Sequence, residues 1–551
     1  MIYPKIPLAQ SIIEILRAKN ISNIVISPGS RNAPLIIGFG NDPFFTCYSI
    51  ADERSAAFFA LGIAQQIKKP VVVVCTSGSA LLNYYPAFAE AFYSQIPLLV
   101  ISADRPQSKI DIGDGQTIRQ ENVFANHSLF NANLSEDASE NNDNLIQEAI
   151  NMAFAKRGPV HINAPFEEPL YETTSELSVK PKINVFESTT SSSEDLASYA
   201  SLWNSSKKKL ILVGVNEPNA IEQRYLDLLA NDPSVVVLIE TTSNLHHPRF
   251  INTIDSIITP FTEKDFLEFQ PEILVTFGGM IVSKRIKAFL RKYQPQNHWH
   301  IDDLRAYDTF GCLSKHFVMQ PNNFFQSFFQ FTHQVESTYN QLAQDIKAYR
   351  QNKSVEYLAK IPFSDLKVFE KTLPVIPIDY QLHISNSSPI RYAQLFDIEK
   401  SIEVFSNRGT SGIDGSTSTA IGAALGNKKP CVFIAGDIGF LYDSNALWNN
   451  YIPNNFKIIL INNGGGGIFR ILPGHKETPV FNTFFETSHC LTAEHLAKMY
   501  GLNYLTASNE AALEKSLKDL FSQDDKPALL EVFTPTLEND KILLNYFKAL
   551  E

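Results

Sequence analysis

Two stretches of the chain, far apart in sequence, follow one plan. KKPVVVVCTSGSALLNYYPAFAEAFYSQIPLLVISAD begins at Lys68, and KKPCVFIAGDIGFLYDSNALWNNYIPNNFKIILINNG begins at Lys428. In each, Lys-Lys-Pro opens an apolar run, a Gly-containing turn follows, and a helical pattern comes next. A second apolar run then stops at Asp104 in one copy and at Asn462-Asn463 in the other. A small-residue helical pattern precedes each copy, SAAFFALGIAQQI and STSTAIGAALGN. Two copies of one supersecondary unit predict two similar domains. Continuous Val/Ile runs, rather than alternating ones, predict strands buried on both faces. The fold class is therefore α/β, with central parallel sheets flanked by helices.

The rest of the chain extends this plan. NIVISPGS reads as one more strand of the first copy, and DERSAAFFALGIAQQI and ALLNYYPAFAEAFYSQ read as helices. ESTTSSSEDLAS, Glu187 to Ser198, reads as a Ser/Thr-rich linker. A third α/β region runs through KKLILVGVN, SVVVLIETTS, EILVTFGGM and HWHIDD. A chain of 551 residues can bury several cores. The expected division is a first domain at 1–182, a central domain at 195–345 and a third at 365–551, the first and third related.

Bulk properties exclude several classes. The net charge of −11 argues against a broad nucleic-acid footprint, so any anionic ligand needs a local cluster of arginines. No apolar run reaches the roughly 18 residues of a membrane span. The start, MIYPKIPLAQ, lacks the pattern of a secretory signal. The five cysteines are scattered and form no CxxC, which points away from zinc or a disulfide framework and towards the cytoplasm.

Chemistry concentrates at strand ends. FIAGDIGF carries Asp437 and LINNGGGGIF carries Asn463, and one helix plus one return strand fit between them. In an open parallel sheet, ligands bind beyond the carboxyl ends of the strands. A carboxylate, an amide oxygen and glycine carbonyls are hard oxygen donors suited to Mg²⁺, and glycine lets backbone approach phosphate closely. No GxxxxGK[ST] is present. A second set is basic: Arg31 in SPGSRNAPL, Arg105 in ISADRPQ, Lys284 and Arg285 in VSKRIKAF, Arg391 in NSSPIRYAQ and Arg408 in SNRGTSGIDGSTSTA. Such a set suits a small, multiply charged anion.

The Gly-Asp … Asn-Asn pattern resembles the metal and diphosphate signature of the thiamine diphosphate-dependent decarboxylase and synthase superfamily, with Gly436-Asp437-Ile438 where that family has Gly-Asp-Gly. The resemblance implies a pyrimidine-binding first domain, a central domain and a diphosphate-binding third domain. It implies thiamine diphosphate with Mg²⁺, or Mn²⁺, ligated by Asp437, Asn463 and the carbonyl of Gly465. Glu53 of ADERSAAFFALG would face the aminopyrimidine N1′, and Thr76, Asn83, Gly436, Ile438 and Ile468 would line the cofactor, with Ile413 bending it.

Taken together, SPGSR, DERSAAFFALG, ADRP, GQTIRQ, SKR, NSSPIR, SNRGTSGIDGSTSTA and NNGGGGIF resemble the branch that decarboxylates 2-oxoglutarate and adds the succinyl carbanion in a 1,4 sense to isochorismate, in menaquinone biosynthesis. That branch implies catalytic roles for Glu53, Arg31, Gln116 and Ser387. Its substrate contacts would be Ser30, Arg31, Arg105, Gln116, Lys284, Arg285, Ser387, Arg391, Arg408, Ile468 and Phe469. Gly115 stands where the branch has asparagine. The superfamily pairs Glu53 and Asp437 across a subunit interface, which implies a homodimer or a dimer of dimers. A pyruvate-handling carboligase of the acetolactate synthase kind, or a silent protein on the same fold, remains the alternative at this point.

Overall fold

The computed structural model describes all residues except Met1, 185–194, 472–473, 475 and 523–524. Three parallel sheets form its frame. A two-residue strand, β1 (Tyr3–Pro4), precedes the first. The first sheet holds β2 (Asn23–Ile26), β3 (Thr46–Ser49), β4 (Val71–Cys75), β5 (Leu98–Asp104), β6 (Asn131–Asn133) and β7 (Val160–Pro165), in the order β3-β2-β4-β5-β7-β6. β8 (Thr173–Thr174) pairs antiparallel with β1.

The central sheet holds β9 (Lys209–Val213), β10 (Val235–Ile239), β11 (Ile273–Phe277), β12 (Asn297–Ile301) and β13 (Leu313–Phe317), in the order β10-β9-β11-β12-β13. The third holds β14 (Gln381–Ile384), β15 (Glu403–Phe405), β16 (Cys431–Gly436), β17 (Phe456–Asn462), β18 (Asn503–Ala507) and β19 (Ala528–Phe533), in the order β15-β14-β16-β17-β19-β18.

The first and third sheets thus share one strand order, as the sequence repeat predicts. Their inner strands, such as Val71–Cys75 and Phe456–Asn462, are buried throughout because helices cover both faces. Each sheet reverses its winding between its first and third strands, β2/β4 and β14/β16. That crevice is where a doubly wound sheet binds its ligand.

The two related domains meet through the helices Glu53–Ile67 and Ser416–Asn427. Glycines allow the close crossing. A Cβ at Gly62 would lie 2.0 Å from the Thr419 carbonyl oxygen, and one at Gly422 would lie 2.0 Å from that of Phe59.

Three local expectations change. ALLNYYPAFAEAFYSQ is two helices, Ser79–Asn83 and Tyr85–Ser94, with Pro86 in the first turn of the second. β13 (LSKHF) is an edge strand, half exposed and polar on one side, so no apolar run marks it. Of the linker at 187–198, residues 187–194 lie outside the described set, while Asp195 caps the helix Leu196–Ser205. Among the described residues no helix is long and apolar enough to cross a membrane. All five cysteines are free, and Cys75 and Cys431 are core residues, as their apolar surroundings predict.

Candidate active site

The third-domain crevice gathers the acidic and glycine motifs. β16 and β17 are parallel neighbours with Gly436 opposite Ile461, so Asp437 and Asn463 emerge side by side. Asp437 is buried and opens the helix Asp437–Tyr442. Its Oδ1 accepts the Ile438 N–H at 2.7 Å and its Oδ2 accepts the Gly465 N–H at 3.0 Å. Burial raises its pKa, opposed by those amides and by His489, whose Nε2 lies 3.4 Å away.

The Asn463 side chain donates through Nδ2 to Asp365 Oδ2 at 2.9 Å, and Thr536 Oγ1 donates to its backbone oxygen at 2.6 Å. Its Oδ1 is buried with no partner. A buried acceptor left open is costly unless something fills it.

The glycine loop needs its glycines. Gly464 (φ 76°) and Gly465 (φ 156°) hold left-handed backbone, and a Cβ on Gly465 would lie 2.9 Å from the Glu486 carbonyl oxygen. It is the Gly465 amide that faces Asp437, while its carbonyl accepts the Gly467 N–H at 3.0 Å. Ile438 sits in right-handed helical backbone, so this position makes no demand for the family's glycine. Beneath the loop lies a buried Arg470–Glu486 pair, with Nη2 to Oε2 at 2.7 Å and Nε on Oε1. Nothing in the sequence pattern distinguishes this pair. Ile468 and Phe469 are half-buried beside it, and Phe469 meets Phe485 edge to face. The half-buried Ile413 packs 3.7 Å from the Cβ position of Gly439.

The first-domain crevice holds Glu53, half-buried at the start of its helix, where Asp52 caps the Ser55 N–H. Burial raises the Glu53 carboxyl above its ordinary range, opposed by a backbone amide and reinforced by Asp52. Its charge also acts on Cys75 and Tyr84, two buried groups whose pKa values burial pushes well up. Thr76 follows β4 and would meet any side chain placed at Gly29. Asn83 is exposed and donates to the Ser79 carbonyl.

Arg54 donates to the Tyr442 carbonyl at 2.7 Å and Asn445 donates to Asp52 Oδ2 at 2.8 Å. The Glu53 turn therefore meets the far end of the helix that Asp437 opens, roughly 8 Å along its axis.

The basic residues form two groups. Ser30 is exposed after β2, and the adjacent Arg31 is buried, donating to the Phe166 carbonyl at 2.9 Å and to Glu168 Oε1 at 3.2 Å. Arg105 donates to Ser77 Oγ at 3.1 Å. Gln116 is exposed, with left-handed backbone (φ 57°) against Gly78. The other glutamine of the GQTIRQ motif is the buried one: Gln120 accepts the Gly78 N–H at 2.8 Å.

The second group spans the central and third domains. Arg408, buried, donates to Asn386 Oδ1 at 2.6 Å. Ser387, at the end of β14, holds φ 73°, a costly value for serine. Arg391 and Arg408 share the field of Glu240, and burial lowers the pKa of both. Glu240 is pushed up to about 7 by burial, against the Ser283 and Val282 amides it accepts at 2.7 and 2.6 Å and against Arg408. Those amides immediately precede Lys284 and Arg285, which are exposed on the first turn of their helix.

Among the described residues no hydrogen bond or ion pair joins the Arg31/Arg105 group to the Arg391/Arg408 group. Sequence reasoning missed Glu240, Asn386, Asp365 and Glu90. Glu90 ties the two related domains by accepting the Gly409 and Thr410 N–H groups at 2.7 and 2.6 Å. A cavity of about 560 Å³ where the three domains meet is lined by Arg157, His300 and Arg305 and reaches Arg408, but not Glu53, Asp437 or Asn463.

Comparison with known proteins identifies the family. Residues 6–127 match the thiamine pyrophosphate enzyme N-terminal TPP binding domain, residues 387–532 the C-terminal TPP binding domain, and residues 185–383 the middle domain of thiamine pyrophosphate enzymes. The chain is 69% identical to a 2-succinyl-5-enolpyruvyl-6-hydroxy-3-cyclohexene-1-carboxylate synthase of Flavobacterium johnsoniae, over 100% of both chains. It is 53% identical to the synthase of the same name from Christiangramia forsetii, again over 100% of both. With that of Porphyromonas gingivalis it shares 38% identity over 97% of this chain and 96% of the relative.

Proposed function

The chain belongs to the thiamine pyrophosphate enzymes and, among them, to the 2-succinyl-5-enolpyruvyl-6-hydroxy-3-cyclohexene-1-carboxylate synthases, and from this premise we propose how its own residues perform the reaction. The reaction decarboxylates 2-oxoglutarate and adds the succinyl unit in a 1,4 sense to isochorismate, giving the named product and CO₂, in menaquinone biosynthesis. Thiamine diphosphate, when bound, supplies the electron sink for decarboxylation and carbon–carbon bond formation.

One observation carries the cofactor assignment on this chain. At the third-domain crevice a buried carboxylate, Asp437, and an unpartnered buried amide oxygen, Asn463 Oδ1, meet amides of a left-handed glycine loop. Hard oxygens from one carboxylate and one amide suit Mg²⁺ or Mn²⁺, whose remaining ligands would come from phosphate, water and the Gly465 carbonyl. Among the described residues no group of three His, Cys, Asp or Glu that could hold a metal ion comes together, so phosphate and water would have to complete the shell. The residues fit the group.

Glu53 holds and moves the proton at the aminopyrimidine N1′. Its raised pKa brings it towards the range in which a carboxylic acid exchanges a proton efficiently. Thr76, Asn83, Gly436, Ile438 and Ile468 would line the cofactor, with Ile413 packed against it. Arg31, Arg105, Lys284, Arg285, Arg391 and Arg408, with Ser30, Gln116, Ser387 and Phe469, receive the substrates, whose carboxylates need charge-assisted partners.

Because the residues flanking Glu53 meet the far end of the helix that Asp437 opens, we place the complete site between two subunits, in a homodimer or a dimer of dimers. Five free cysteines suit a reducing cytoplasm. The test is consumption of 2-oxoglutarate with Mg²⁺ and thiamine diphosphate, with and without isochorismate. Formation of the adduct is expected only with both substrates. Condensation of pyruvate in preference, with isochorismate ignored, would refute the reading.

A further inference from the structure

Asn463 offers a metal only one of its two polar side-chain atoms usefully, the oxygen, and a free amide is indifferent to which way it turns. Asp365 removes that freedom. It opens the helix Asp365–Thr372, in the segment FSDLKVFEKTLP that leads into the third domain. Asp365 is buried, its backbone N–H is fixed by Asn539 Oδ1 at 2.8 Å, and its Oδ1 accepts Thr534 Oγ1 at 2.6 Å. Its other oxygen, Oδ2, accepts Asn463 Nδ2 at 2.9 Å. An ionised carboxylate only accepts hydrogen bonds, so the NH₂ of Asn463 must face it and Oδ1 must face away. Oδ1 is the atom left buried and unpartnered.

We propose that Asp365 is a positioning residue for the metal: it locks the Asn463 amide so that Oδ1, and not Nδ2, is presented beside Asp437. The inference rests on the proposed role of Asn463 as a ligand. Asp365 does not touch the ion. It acts through Asn463, as outer partners of ligands commonly do, and loss of such a partner typically lowers metal affinity roughly 10–100-fold.

The experiment measures, by calorimetry, the Mg²⁺ concentration that half-saturates thiamine diphosphate binding, with the melting temperature of the cofactor-free protein alongside. Asp365→Ala is expected to raise that concentration roughly 10–100-fold. Asp365→Asn, whose amide can offer Asn463 either an oxygen or an NH₂ and so no longer dictates its orientation, should fall between the parent and Asp365→Ala. In an Asn463→Ala background, Asp365→Ala should add no further loss.

Parental Mg²⁺ dependence in Asp365→Ala, or a full further loss in the Asn463→Ala background, would overturn the inference. Asn463→Ala with parental Mg²⁺ dependence would instead overturn the ligand assignment beneath it. Should Asp365→Ala not fold, Asp365→Thr, which refills the space without reaching Asn463, must show the same loss.

Discussion

Replacing Gly62 with alanine tests how the two related domains are joined. The added Cβ would lie 2.0 Å from the Thr419 carbonyl oxygen, 2.8 Å from the Ala423 nitrogen and 2.9 Å from the Thr419 carbonyl carbon. All three are backbone atoms of the facing helix, so no side-chain rotation relieves the contact. Since real Cβ atoms essentially never approach closer than 3.0 Å, the helices Glu53–Ile67 and Ser416–Asn427 must separate or slide by about 1 Å.

Overpacking of a tight contact costs about 1–3 kcal/mol, and a clash with rigid backbone belongs at the upper end. Alanine returns about 1 kcal/mol of helix propensity. The net loss is about 2 kcal/mol, or a fall of roughly 4–8 °C in the melting temperature of a unit of 150–250 residues. Thermal unfolding of the cofactor-free protein, followed by circular dichroism, reads it directly. Gly40→Ala is the control, because nothing lies within 4 Å of its Cβ position. The same shift should tilt the Glu53 turn and lower turnover. A Gly62→Ala protein as stable and active as Gly40→Ala would refute the close-crossing argument.

Three further outcomes are expected. Glu53→Gln should keep the fold and cofactor binding but lose roughly 100-fold or more in kcat, because an amide cannot exchange the proton at N1′; near-parental turnover would remove Glu53 from the chemistry. Arg408→Ala should cost about 2–5 kcal/mol of transition-state binding, read as a fall in kcat/KM for the carboxylate substrates with thiamine diphosphate affinity little changed, and a parental kcat/KM would take Arg408 out of the substrate site.

Asp443 gives a pH prediction. It is buried, accepts the Ser418 N–H and hydroxyl at 2.8 and 2.9 Å, and is pushed up by burial from 3.8 to about 7. As pH rises, the unfolded carboxyl ionises first, so the unfolded state binds fewer protons and stability falls between about pH 4 and pH 7. Asp443→Asn lacks this dependence. The stability difference, parent minus variant, should therefore fall, becoming more negative, by up to about 4 kcal/mol between pH 4 and pH 8. A parent-minus-variant difference in melting temperature that stays constant or rises with pH would contradict the assignment.

The sequence by itself determined the frame. Continuous Val/Ile runs ending in turn residues mark Val71–Cys75 and Phe456–Asn462 as strands covered on both faces, and the repeat of that plan predicts the strand order the two outer sheets share. It also marked Asp437 and Asn463, because strand ends and loop glycines are local signals. Only the tertiary structure supplied what depends on facing. Asp365, Glu240 and Glu90 lie in stretches with no motif, and each matters for the group it meets from another segment: Asn463, the amides before Lys284, and the Gly409–Thr410 loop. It also turned the Gly465 amide towards Asp437 and set Arg54 and Asp52, on either side of Glu53, against Tyr442 and Asn445. A buried carboxylate is recognisable in sequence as a carboxylate, but its partner is set by where distant strands end, and that is fixed only when the sheets pack.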